Sequence, residues 1–190
     1  MRNRLLLFPA IFISSFVCSQ PVLPYRDSSL PVEARVKDLL SRMTREEKFW
    51  QLFMVPGGPG KGDSLLYQNG IFGFQVSASS KGDAAGQMLN YGTVENAESL
   101  AKKINAIQAY FVEKTRLGIP IIAFDEALHG LVRGGATTFP QAIGLAASFD
   151  TALMHRVAMA IATEARARGI RQILSPVINI ASNPRWGRTE

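Results

Sequence analysis

Two groups of polar residues in this 190-residue chain have side chains suited to binding or catalysis. The first group, Asp125, Glu126 and His129, directly follows an apolar run at 119–124. The second is the loop at 183–190, which contains Arg188 among other Arg, Trp and Glu residues. Carboxylates accept paired hydrogen bonds, guanidinium groups donate them, and imidazoles transfer protons near neutral pH. The candidate functional residues are therefore Asp125, Glu126 and Arg188, whereas His129 is expected to support them from behind rather than to act as a general base.

Apolar runs alternate with amphipathic segments along the chain, which predicts strands separated by helices. Strands are expected at 52–55, 71–76, 119–124 and 173–180. Helices are expected from Val32 to Met43, after a capping box of Thr44 and Glu47, from about Val94 to Gly118, and from Asp150 to Gly169. This order is typical of right-handed crossovers and a parallel sheet, so the predicted fold class is α/β.

Both candidate groups follow predicted strands, and α/β enzymes bind ligands at the carboxyl ends of their strands. Only about four strands fit in the chain, whereas a closed (β/α)8 barrel needs eight strands and roughly 250 residues. The last apolar run, 173–180, has no helix after it to cover it. We therefore expect a partial (β/α)8 TIM-like barrel with only the first strands and helices; a small open sheet is the alternative.

Composition excludes several classes of function. The chain is 47% apolar and 19% charged, which argues for a folded domain. The net charge of +6 comes from scattered residues, so no nucleic-acid partner is expected. With two histidines the chain is not expected to bind a metal. The loop at 56–63 resembles a phosphate-binding loop, but Gly62 stands where that pattern requires Ser or Thr, so we interpret it as a turn.

The N-terminal residues predict export. Residues 1–19 combine a cationic start with a short apolar run, as in a secretory signal peptide, and the run is too short for a membrane span. A Pro-rich extended arm is expected at 20–31, and the domain at 32–190. The expected location is secreted or periplasmic. Lipid anchoring at Cys18, the only cysteine, is the alternative.

Three segments carry a resemblance to a known family. They are Phe124 to Gly130, Thr138 to Gln141, and Pro176-Val177 leading into Asn183 to Arg188. In this order and spacing they resemble the N-terminal part of the family 3 glycoside hydrolases, which are β-glucosidases and β-xylosidases. The resemblance extends over about 32–190. It implies a barrel, no cofactor, and retaining hydrolysis of β-glycosides by two carboxylates about 5 Å apart.

The resemblance also implies roles for individual residues. Glu126, three positions before His129-Gly130, would accept hydrogen bonds from sugar hydroxyls, and its length resembles the β-xylosidase members. Arg188 would donate to sugar hydroxyls; a loop salt bridge with Glu190 is the alternative. Asp125 could approach the sugar instead of Glu126, but adjacent strand residues point to opposite faces, so at most one should face the barrel axis. Both carboxylates could also merely cap the loop.

The predicted function is therefore that of a fragment. The family's nucleophile and acid/base are expected beyond Glu190, so no catalytic residue is assigned here and this piece alone is expected to be inactive. The parent would be a retaining, exo-acting β-glycosidase acting on oligosaccharides or other β-glucosides and β-xylosides. A complete, non-catalytic sugar-binding module is the alternative from another class of function.

Overall fold

The computed structural model describes residues 22–60, 62–63, 65–77, 95–178, 180, 182–183 and 185. The predicted signal peptide, with Cys18, and the candidate residue Arg188 lie outside these described residues. The chain divides into two compact units, Met1–Arg42 and Met43–Glu190. The candidate residues Asp125 and Glu126 belong to the second unit.

In the described part of the first unit, residues 22–42, a short turn pairs with a helix. A 3-10 turn at Pro24–Arg26 precedes helix α1, Val32–Arg42. The backbone amide of Tyr25 donates to Asp38 of the helix over 3.2 Å, and Arg42 pairs with the same carboxylate at 2.8 Å. The arm expected from the proline content thus contains a helical turn that is hydrogen-bonded to α1.

The second unit is built on a four-stranded parallel sheet. Its strands are β1 Met54–Pro56, β2 Gly73–Gln75, β3 Ile122–Asp125 and β4 Gln172–Ile173, and their order in the sheet is that of the sequence. Among the residues of this unit that the structure describes, the helices are α2 Arg45–Trp50, α3 Ala97–Lys114, α4 Ala142–Ala146 and α5 Thr151–Ala167. This arrangement confirms the predicted α/β class with parallel strands.

Side chains cap the helices where the sequence predicts. Thr44 and Glu47 form the expected capping box, in which each side chain binds the backbone amide of the other. Asp150 accepts from the amide of Leu153 at 2.8 Å and begins α5 as predicted. Helix α3 begins at Ala97, three residues later than expected. None of the helices in the described ranges combines the length and apolarity needed to cross a membrane.

The main core lies on the face of the sheet that α3 and α5 cover. Buried members from the strands and helices include Phe74, Leu100, Ile104, Phe111, Ala123, Val157 and Ile161. Strand pairing aligns Val55, Phe74 and Ala123, so these residues share the helix-covered face. The same pairing aligns Pro56, Gln75, Phe124 and Gln172, which therefore belong to the opposite face.

Two segments differ from the sequence expectations. The predicted strand at 173–180 is wrong for residues 174–178 and 180, the described residues beyond Ile173, because β4 ends at Ile173. Pro176 has no N–H to continue the ladder, and the last interstrand bond is from the Leu174 amide to the Asp125 carbonyl at 2.9 Å. Helix α4 lies in a segment that the sequence indicated as loop. Its five residues are too few to produce a clear helical periodicity.

Strands β2 and β3 approach closely at Gly73. A Cβ atom at this position would lie 2.2 Å from the carbonyl oxygen of Ile122, its partner in the ladder. Below 3.0 Å the backbone itself would have to move, so only glycine fits this pairing.

Replacement of Glu47 by Gln is expected to reduce the pH dependence of stability. Burial raises the pKa of the Glu47 carboxyl, but hydrogen bonds from Arg116 and Thr44 outweigh it and the net pKa is lowered. Because the folded-state pKa is the lower one, the Glu47 carboxylate stabilises the fold fully above the unfolded-state pKa of about 4.3, and this contribution is lost as the pH falls from there through the folded-state pKa. Denaturation series at pH 7 and in mild acid should show a flatter profile for Glu47→Gln.

The cost at neutral pH should be about 1–3 kcal/mol, the range for an interrupted charged hydrogen bond. The Arg116→Met variant should flatten the same acid limb, since it removes the guanidinium that binds Glu47 at 2.9 Å. A Glu47→Gln profile as steep as that of the unaltered chain would contradict this assignment.

Candidate functional site

Asp125 ends β3 as a buried, fully hydrogen-bonded carboxylate. One carboxylate oxygen accepts from the Ser77 hydroxyl, which follows β2, and from the backbone amide of Glu126 at 2.9 Å. The other accepts from the Arg133 guanidinium at 3.0 Å. The side chains of Asp125 and Arg133 are 3% and 0% exposed. Both oxygens of Asp125 are therefore engaged by protein donors.

The alternation of side chains along a strand assigns Asp125 and Glu126 to opposite faces of the sheet. Asp125 pairs with Ile173 and shares the phase of Ala123, which places it on the helix-covered face. Glu126 is the first residue after β3, where continued alternation would give it the phase of Phe124 on the opposite face. Glu126 is half-buried, and its charge acts on Asp125 by raising the pKa of that carboxyl group. In a closed barrel, the face opposite the helices is the interior.

Burial is the main influence on the ionisation of Asp125. It raises the pKa of the carboxyl group, while the Ser77 hydrogen bond, the Arg133 charge and the Glu126 amide act in the opposite direction. The net direction is upward. The three donors therefore oppose the effect of burial on the pKa of this carboxyl group without cancelling it.

The segment between β3 and α4, residues 126–141, is fastened to its surroundings at several points. Thr137 donates its amide and hydroxyl to Glu164 of α5, at 2.9 and 2.6 Å. Arg168 donates to the Gly134 carbonyl at 3.2 Å, and the Phe139 amide donates to the His129 carbonyl at 2.7 Å. These contacts hold the loop that begins with Glu126 in one conformation.

His129 occupies a half-buried position in this loop, beside an apolar cavity. Its Nδ1 atom is inaccessible to solvent and has no hydrogen-bond partner among the described residues. The cavity has a volume of about 390 Å³ and lies between α5, α4 and the ends of β3 and β4. Its walls are mostly apolar and include Leu145, Val157, Ile161 and Ile173. This cavity is on the helix side and is separate from the face assigned to Glu126.

The structure thus brings Asp125 and Glu126 to one strand end but gives them different surroundings. The third predicted site residue, Arg188, lies outside the described residues, so its distance from Glu126 stays a prediction. Within the described ranges, no group of three or more His, Cys, Asp or Glu side chains is arranged to hold a metal ion.

Sequence reasoning missed Ser77 and Arg133. Ser77 directly follows a predicted strand, and the ends of neighbouring parallel strands meet at one edge, so the sequence held a usable signal for it. Arg133 stands alone in a Gly-rich loop. Nothing in its local pattern distinguishes this buried arginine from an exposed one.

Comparisons with known proteins agree with this architecture. The sequence profile of the glycosyl hydrolase family 3 N terminal domain matches residues 45–190. Beta-glucosidase C of Emericella nidulans is 35% identical, with a match that covers 86% of this chain and 27% of the relative. The periplasmic beta-glucosidase/beta-xylosidase of Dickeya chrysanthemi is 32% identical and is matched over 88% of this chain and 26% of its own length.

The fold has a counterpart among solved structures. A β-glucosidase from Erythrobacter marinus superposes with a TM-score of 0.67 at 33% identity, over 89% of this chain and 22% of that protein. The chain spans only about a quarter of the length of these relatives. The parallel sheet with its helices fits the early part of a TIM-type barrel. By its sequence and its fold, this chain belongs to glycosyl hydrolase family 3.

Proposed function

We propose that this chain supplies part of the sugar-binding subsite of an exported, retaining, exo-acting β-glycosidase that hydrolyses β-glucosides or β-xylosides. Glu126 accepts hydrogen bonds from vicinal hydroxyls of the terminal sugar, and Arg188 donates to them. The nucleophile and the acid/base belong to sequence beyond these 190 residues. The names of the relatives, which include β-glucosidases and a β-glucosidase/β-xylosidase, support the substrate class.

The position of Glu126 at the carboxyl end of β3 carries the proposal. Asp125 is buried and both of its oxygens already accept hydrogen bonds from the protein. Glu126 is half-buried, follows directly, and has the phase of the opposite face. A carboxylate at the carboxyl end of a parallel strand is well placed to accept two neighbouring hydroxyls of a sugar. Of the two carboxylates, Glu126 is therefore the one assigned to the substrate.

Activity assays on two lengths of the protein test this proposal. The product of the complete reading frame that contains these residues should hydrolyse aryl β-glucosides or aryl β-xylosides and release the β-anomer first, as a retaining mechanism requires. The 190-residue chain should show no turnover on the same substrates. Proton NMR of the first product formed distinguishes the anomers.

Each alternative result has a defined meaning. Turnover by the 190-residue chain alone would contradict the assignment of both catalytic carboxylates to other sequence. Release of the α-anomer would contradict retention. A reading frame that stops at Glu190, together with a melting transition that xylose or glucose raises, would replace the proposal with a sugar-binding module.

A further inference from the structure

A chain of contacts links Arg133 to the backbone of Glu126. Arg133 binds one oxygen of Asp125 at 3.0 Å, and the other oxygen of Asp125 accepts the backbone amide of Glu126 at 2.9 Å. The Asp125 side chain therefore bends back over its own peptide bond to Glu126. This contact fixes the orientation of the peptide group between Asp125 and Glu126, and this orientation limits the directions in which the Glu126 side chain can point.

Ser77 completes this arrangement from the neighbouring strand. Its hydroxyl donates to the same Asp125 oxygen that accepts the Glu126 amide. The carboxylate is therefore held from the β2 side by Ser77 and from the loop side by Arg133. With both oxygens occupied, rotation of the Asp125 carboxylate would break at least one of these bonds.

Stability alone does not account for the buried Asp125–Arg133 pair. Removing two charges from water costs about as much as their attraction returns, and well-packed apolar residues of similar volume are often equally stable or more so. What an ion pair with hydrogen bonds supplies in addition is a defined geometry. Functional side chains need such support, since small displacements at a binding site have large effects on rate.

The loop that carries Arg133 is itself immobilised from outside. Gly134, next to Arg133, is bound through its carbonyl by Arg168, and Thr137 is bound twice by Glu164. The backbone of Arg133 is therefore held in place while its side chain binds Asp125. The contacts with Glu164 and Arg168 therefore fix the loop, and the loop in turn fixes Arg133 against Asp125 at the end of β3.

We propose that Arg133 and Asp125 are positioning residues for substrate binding, which act by fixing the backbone amide and hence the side-chain direction of Glu126. Neither residue touches the sugar. This inference rests on the proposed sugar-binding role of Glu126. It adds an explanation of how the side chain of Glu126 is held in the orientation that binding requires.

A double-mutant cycle in the product of the complete reading frame tests the inference. Arg133→Met should lower kcat/KM for an aryl β-xyloside or β-glucoside by about 10- to 100-fold, the usual effect of a misplaced binding group. Glu126→Gln should lower it as well. The double variant should fall less than about twofold below Glu126→Gln alone, since Arg133 then has no carboxylate left to position.

Two further variants separate positioning from stability. Arg116→Met removes the same kind of side chain from the ion pair with Glu47, before β3 rather than after it. It should lower the melting temperature and leave kcat/KM within about twofold. Arg133→Lys, which keeps the charge, should recover part of the activity that Arg133→Met loses. If Arg133→Met does not fold, the isosteric Asp125→Asn takes its place in the cycle.

The possible failures are distinct. Losses that multiply in the double variant, or a kcat/KM for Arg133→Met equal to that of Arg116→Met, would overturn the positioning role. An unchanged kcat/KM for Glu126→Gln would instead overturn the proposed role of Glu126. The pattern of these variants therefore identifies which of the two assignments fails.

Discussion

Shortening Glu126 to Asp in the complete enzyme is expected to raise β-glucosidase activity relative to β-xylosidase activity by about tenfold or more. A hexose carries an exocyclic C6 group that a pentose lacks, and the longer glutamate would crowd it. One methylene group in a binding pocket typically changes discrimination by about 1–3 kcal/mol. The measurement is the ratio of kcat/KM values on aryl β-glucoside and aryl β-xyloside.

A matched substitution on the surface provides the control. Glu98→Asp shortens an exposed glutamate of α3 that pairs with Lys102, and it should leave the ratio unaltered. If the ratio for Glu126→Asp also stays at the value of the unaltered enzyme, Glu126 does not select between the two sugars. Its proposed role in binding would then be tested separately by Glu126→Gln.

Replacement of Gly130 by Ala is expected to destabilise the chain by about 2–5 kcal/mol, the sum of backbone strain and a steric collision. Gly130 has a φ of +116°, where residues with a Cβ are strained. A Cβ there would also lie 2.2 Å from the carbonyl oxygen of Thr137. Thermal or urea denaturation of the variant chain measures the loss.

Gly135 provides a comparison in the same loop. It also has a positive φ, +71°, but a Cβ added at this residue would have no described atom within 4 Å. Gly135→Ala should therefore show only the conformational cost, about 1–2 kcal/mol. Equal losses of unfolding free energy in the two variants would mean that the backbone at Thr137 can move away at no cost. That result would contradict a loop held in place by the hydrogen bonds between Thr137 and Glu164.

The order and type of the four strands and of the longer helices could be predicted from sequence because each signal is local, whereas the short helix α4 could not. The Thr44–Glu47 capping box and the Asp150 cap are formed by residues three apart, and both are present in the structure. The extent of the strands could not be predicted as well. Apolar character at 173–180 indicates burial, but the ladder depends on N–H groups, and the run contains Pro176.

The candidate site was predictable only in part. Alternation along a strand predicts that the side chains of Asp125 and Glu126 point to opposite faces of the sheet, but it does not predict which of them belongs to the helix-covered face. That choice follows from contacts with Ser77, which is 48 residues away, and with Arg133 in a turn-rich loop. Such contacts depend on strand register and loop path, and neither leaves a periodic trace in the sequence.

Asp125 also joins three neighbouring strands at one point. Its side chain binds Ser77 after β2, its backbone lies in β3, and its carbonyl accepts the amide of Leu174 after β4. Substitution of Asp125 by an apolar residue would remove the side-chain bonds to Ser77 and Arg133, whereas a substitution at Glu126 would leave both of these bonds in place. Under the proposed role of Glu126, a substitution at this residue can therefore change the sugar preference of the enzyme while the contacts of the adjacent Asp125 continue to hold the strands together. Two consecutive residues would thus divide substrate selection and folding between them.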